Sequence, residues 1–148
     1  MALKSVWLYA LAVVGLMLAA FGAFVASPGA SPPQAALDQS RTRTSAAGLY
    51  VASVEPQVAE IRQGELHAWI LTVKTAGGSP LDDAVITVEG GMPDHNHGLP
   101  TAPEMTQSLG GGRYLVEGIK FSMTGWWELK FGISAPAGTD TVTFNLVL

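Results

Sequence analysis

The chain has no cysteine. That excludes disulfide bonds, thiolate zinc sites, haem-attachment motifs, cysteine nucleophiles and a lipoprotein anchor, each of which needs a sulfhydryl. Charge is also scarce. Only 14% of the 148 residues are Asp, Glu, Lys or Arg, no run of like sign occurs, and the formal net charge is -4. A chain without a basic cluster is not an expected partner of nucleic acid. No Gly-x-Ser-x-Gly elbow, phosphate loop or dinucleotide fingerprint is present, and no paired carboxylates can be placed for acid–base work, so no enzyme is expected. Helical periodicity is missing everywhere after Ala26.

What is present begins with one long apolar run. Lys4 is followed by Val6 to Ala26 without a charge, interrupted only by Gly15 and Gly22. At 1.5 Å per residue that run spans a bilayer core of ~30 Å. A cleaved signal has a shorter apolar core of ~7–15 residues and small residues at its cleavage site, which Phe24 and Pro28 spoil here. Residues 1–26 are therefore expected to be an uncleaved transmembrane anchor, with a cleaved signal sequence as the alternative. Lys4 places the N-terminus inside, and Trp7 and Tyr9 sit where an interfacial aromatic belt belongs. In either case the remainder is exported. The expected location is the cytoplasmic (inner) membrane, crossed once, with the domain facing the periplasm or cell exterior.

Residues 27–48 change character. Ser27-Pro28-Gly29-Ala30-Ser31-Pro32-Pro33 and Ser40-Arg41-Thr42-Arg43-Thr44-Ser45 hold almost no large apolar side chain. Such a stretch cannot bury enough surface to offset its chain entropy, and it reads as a flexible tether in which Arg41 and Arg43 are ordinary solvated charges.

Residues 49–148 read as a folded domain of short strands. The expected strands are Tyr50–Val54, Leu66–Lys74, Ala84–Glu89, Glu104–Leu109, Arg113–Val116, Trp126–Ile133 and Thr141–Leu148, separated by Gly- and Pro-rich turns. Glu104–Leu109 and Arg113–Val116 form a hairpin across Gly110-Gly111-Gly112. In the last strand Val142, Phe144, Leu146 and Leu148 alternate with other residues, so one face is buried. About seven strands in ~100 residues is the pattern of an all-β, immunoglobulin-like sandwich. Its expected core draws on Val54, Trp69, Leu71, Val73, Val85, Ile86, Val88, Tyr114, Leu115, Trp127, Leu129, Phe131 and Phe144. Trp126 and Trp127 are adjacent in one strand and face opposite sides. Trp127 shares a face with Leu129 and Phe131 and belongs to the core. Trp126 is then covered by the tether or a loop, or is exposed as a partner-binding anchor.

The stretch Gly90-Gly91-Met92-Pro93-Asp94-His95-Asn96-His97-Gly98-Leu99-Pro100-Thr101 carries the chemistry. It holds two of the three histidines in the chain. Imidazole is the commonest metal ligand and thioether adds a preference for soft copper. In extended backbone, side chains two apart point the same way, so His95 and His97 can converge on one ion. A plainer reading makes this a rigid loop whose histidines bond the backbone. As copper ligands the order is His95 and His97, then Met92 and Met105. Asp94 is held in reserve for a cupric site, and Met123 and His67 come last. His67 shares a face with Trp69, Leu71 and Val73, which suits a core-edge histidine. Asp82-Asp83 caps a turn.

Four motifs lie along this domain: Gly64-Glu65-Leu66-His67-Ala68-Trp69-Ile70-Leu71-Thr72-Val73, the Met92–Thr101 loop, Gly112-Arg113-Tyr114-Leu115-Val116-Glu117-Gly118, and Met123-Thr124-Gly125-Trp126-Trp127-Glu128-Leu129. Together they resemble the YtkA-like/FixH-like family of small exported domains. FixH-type relatives belong to the assembly of copper-containing cytochrome oxidases. The resemblance therefore implies a link to copper or to the maturation of respiratory complexes. The expectation is a membrane-tethered copper-binding domain with a membrane-protein or cuproprotein partner. The alternative is a metal-free interaction module that docks a membrane protein through its histidine loop and tryptophan.

Overall fold

The computed structural model describes residues 36–148. The Val6–Ala26 run, with its expected anchor, lies outside the described residues, as does the first part of the expected tether. The described residues form nine strands: β1 (Thr42–Thr44), β2 (Tyr50–Pro56), β3 (Leu66–Thr75), β4 (Val85–Met92), β5 (His97–Gly98), β6 (Glu104–Gly110), β7 (Arg113–Lys120), β8 (Trp126–Ala135) and β9 (Gly138–Val147). They make two antiparallel sheets in the orders β1-β2-β3-β7-β6 and β5-β4-β8-β9. The two sheets enclose one hydrophobic core.

The two strands beyond the expected seven are β1 and β5. Each is too short to leave a period-two pattern. β1 also lies within the stretch 27–48 expected to be a flexible tether. It has no large apolar side chain, and pairing is what holds it: Thr42, Arg43 and Thr44 oppose Ser53, Ala52 and Val51. Arg43 starts on the same face as buried Ala52 and reaches Asp38 at 3.5 Å. The Arg41 guanidinium lies 5.0 Å from the centroid of the Trp69 ring. These two arginines put charge at the short edge strand, a feature that discourages edge-to-edge pairing.

Alternation along the strands decides the core. Trp69, Leu71 and Val73 of β3 are fully buried, and so are Trp127, Leu129, Phe131 and Ile133 of β8 and Phe144 of β9. Val85 departs from expectation at 65% exposed. It precedes buried Ile86, and neighbours in a strand cannot both face inward. Val88 and Leu115 are half-buried. Trp126 is on the outer face of its sheet yet only 7% exposed. Its indole N–H donates to Asn145 Oδ1 at 3.1 Å, and Asn145 Nδ2 donates to the Asp38 carbonyl at 2.9 Å. The segment before β1 thus helps to cover it, and no tryptophan of the pair is left exposed.

The strand expected to stop before Gly90-Gly91 continues to Met92. These glycines permit a close approach. A Cβ on Gly91 would stand 2.6 Å from the His97 carbonyl oxygen. Gly91 and Met92 pair with Gly98 and His97, which makes β5 and folds the histidine loop back against β4.

Candidate functional site

The loop between β4 and β5 is built by three local choices. Pro93 fixes φ at the start of a short 3-10 turn, Pro93–His95. Asn96 follows in the left-handed region with φ 51, a conformation that Asn tolerates better than most residues. His97 then re-enters extended backbone opposite Met92. The outcome is a reversal over five residues that brings His95 and His97 side by side.

Their ring centroids are 6.0 Å apart, with the planes tilted by 36°. An imidazole nitrogen sits about 2 Å from a bound first-row metal and its ring centre about 1 Å further out, so two rings on one ion stand roughly 5–6.5 Å apart. The observed spacing fits. His97 Nδ1 lies 2.9 Å from the Gly98 carbonyl, which can only accept, so Nδ1 carries the proton and Nε2 is the lone-pair nitrogen. A metal-ligating histidine is commonly held in this way by its second nitrogen. Both rings are exposed to solvent.

The floor beneath them is apolar. His97 meets Trp127 edge-on with centroids 5.7 Å apart, and Trp127 meets Phe121 at 5.3 Å. Met92 is 2% exposed and belongs to the core. A groove of about 360 Å³ opens beside the loop, lined by Glu89, Gly91, Met92, His97, Glu128 and Lys130 among others. Lys130 and Glu128, two apart on β8, pair at its wall at 3.0 Å.

The other candidates separate clearly. Met105 is on β6, in the opposite sheet, opposite Val116. It borders a second depression with Ile86, Thr87 and Val88. Val88 is four positions before Met92 on β4, on the order of 13 Å at the usual strand rise. The structure does not bring Met105 to the histidines. A one-dimensional pattern cannot tell which strand edge a residue faces, and nothing in its spacing signals this. Asp94 is exposed on the 3-10 turn. Among the described residues no three side chains drawn from His, Cys, Asp and Glu converge to hold an ion. Asp94 therefore does not complete the histidine pair. His67 is 3% exposed, and its Nε2 donates to the Arg62 carbonyl at 2.9 Å. Phe121 and Trp127 stand between its ring and that of His97. It is a core histidine.

Met123, ranked last on sequence, has a different standing. It is half-buried in the β7–β8 connection, and its carbonyl accepts the Trp127 indole N–H at 3.0 Å. It therefore lies at the histidine end of the sandwich. Its Met-x-Gly-x-Trp context was the available signal.

No curated protein matches the chain. A solved structure described as the ZirS C-terminal domain aligns over 88% of this chain and 87% of its own at 16% identity, with a TM-score of 0.39. The profile of the YtkA-like family matches residues 43–132, from the second residue of β1 into β8. The chain belongs to the YtkA-like family.

Proposed function

We propose that this protein is a membrane-tethered copper-binding domain, working in copper handling or in the assembly of a copper-containing respiratory oxidase. The reading rests on the histidine pair. His97 is held by its Nδ1–H on the Gly98 carbonyl, and His95 stands beside it at a spacing suited to one shared ion. Met92 adds a buried thioether below. With no third His, Asp or Glu converging among the described residues, the donor set is nitrogen and thioether, which selects soft copper over magnesium or calcium. Copper would be held by these residues for transfer; no bond-making step is assigned to the protein. The scaffold reads as immunoglobulin-type. The orders β2-β3-β7-β6 and β4-β8-β9 follow the A-B-E-D and C-F-G pattern of that sandwich. The partner is a membrane protein or cuproprotein. A metal-free docking module loses its expected anchor, because Trp126 and Trp127 are both buried.

Copper titration of the full-length protein in detergent tests the proposal. Wild type should take up about one copper per chain, in preference to magnesium and calcium. Coordination needs neutral imidazole, so proton competition should weaken uptake in acid. The double change His95→Ala, His97→Ala should abolish uptake and leave the thermal transition largely intact, since both rings are exposed. No uptake by wild type at micromolar copper, or undiminished uptake by the double variant, would overturn the assignment.

A further inference from the structure

The topology gathers all three histidines and two of the methionines at one end of the sandwich. β3 and β8 begin at this end, and β4 and β7 finish there. His67, His95, His97, Met92 and Met123 all belong to it, and their neighbours Phe121 and Trp127 form a chain of ring contacts between His67 and His97. Within this group the two loops that carry exposed or half-buried donors are Pro93–His97 and Ser122–Gly125.

Trp127 ties the two loops together. Its ring lies against His97 and its N–H fixes the Met123 carbonyl. Gly125 brings the second loop over the first. It has φ 122, and a Cβ there would stand 2.9 Å from Met92 Cε. The Gly125 and Leu148 backbones exchange hydrogen bonds at 3.0 and 3.1 Å, which anchors the loop to the end of the chain. Among the described residues, the second methionine at the histidine end is thus Met123 of the β7–β8 connection. Met92 is buried within the core, whereas Met123 packs against the core's edge and is only half-buried.

We propose that Met123, rather than Met105, supplies the second thioether beside His95 and His97, and that the bound ion is cuprous copper bridging the β4–β5 and β7–β8 loops. This rests on the copper reading above. Two imidazoles with thioether donors and no carboxylate form a soft set, and soft sets favour Cu(I) over Cu(II).

The test uses full-length protein under anaerobic, reducing conditions, with cuprous copper delivered from a chromophoric chelator. Met123→Leu should weaken Cu(I) binding at least tenfold and Cu(II) binding less than twofold, and Met105→Leu should change neither. A second measurement needs no variant. With carbon-13 methionine methyl labels, silver(I), a diamagnetic stand-in for Cu(I), should shift the Met123 methyl and leave that of Met105 in place. An unshifted Met123 methyl, or Cu(I) affinity in Met123→Leu equal to wild type while the double histidine variant loses it, overturns the Met123 assignment alone. Wild type that binds neither copper ion overturns the copper reading and this assignment together.

Discussion

At the residue scale, Asp140 shows how a single side chain holds a segment that composition marks as loose. It is 7% exposed, and its carboxylate accepts the Ala47 N–H at 3.0 Å and the Leu49 N–H at 3.3 Å. The neighbouring Ser45 hydroxyl, with the Ala47, Thr141 and Leu49 amides, holds its carboxyl down to about 2, against the opposing effect of burial. An unfolded aspartate titrates near about 3.9. The folded value is depressed, so the stabilisation is complete above about pH 4 and is lost as pH falls toward about 2. Asp140→Asn should lower stability at neutral pH, and its curve should converge with wild type near pH 2. Urea unfolding across that range reads the difference. A constant gap between the two curves down to the acid limit would remove Asp140 as its source. None of this was legible in the sequence, because the partners Ala47 and Leu49 are distant in the chain from Asp140. The candidate ligands divide in the same way. His95, His97 and Met92 share one short loop, so their grouping was legible in the sequence. Where Met105 and Met123 lie relative to that loop was not, because their neighbours come from other strands. Local alternation served better: it put Trp127, Leu129 and Phe131 in the core, and it fell short where adjacent residues were both expected inside, leaving Val85 exposed beside Ile86 and Leu115 half-buried beside Tyr114.

At the element scale, the strands with strong period-two patterns were legible, and β1 and β5 were not. β5 has only His97 and Gly98. It exists because β4 presents a glycine where it arrives. The register places Gly91 opposite Gly98 and Met92 opposite His97, so this pairing sets which way the His97 ring leaves the backbone. Gly91→Ala would bring a methyl to 2.6 Å from the His97 carbonyl oxygen, a backbone atom that cannot swing aside like a side chain. The strand pair must open. Such overpacking typically costs about 1–3 kcal/mol. The expected outcome is a modest fall in the thermal midpoint with a larger loss of the proposed copper uptake, because most of the core lies away from β5 and the histidine loop hangs from it. Copper titration and thermal unfolding of Gly91→Ala check it. A variant with full copper affinity would show that the loop keeps its shape without β5. Reading Gly90-Gly91 as a strand terminator was the natural error, since glycine ends many strands and is also the residue that lets two backbones approach.

At the scale of the whole molecule, the direction in which the chain joins the sandwich matters. β1 runs antiparallel to β2, the Val54 N–H meets the Arg41 carbonyl at 2.9 Å, and Asn145 holds the Asp38 carbonyl. The residues before β1 therefore lie toward the end where β2 stops and β3 begins. That is the end of the histidines. A membrane attachment acting through this segment would act on the histidine end of the domain and not on the opposite turns. The attachment itself is expected from the uncharged Val6–Ala26 run, long enough for a bilayer core of ~30 Å. Full-length protein should sediment with membranes and resist carbonate extraction, whereas a chain begun at Ala36 should stay in the supernatant. N-terminal sequencing of the membrane-bound form should find the apolar run still attached. Recovery of a soluble mature protein starting between Ser27 and Ala36 would replace the anchor by a cleaved signal. It would leave the sandwich and its histidine loop untouched, and it would release the domain into the exported compartment.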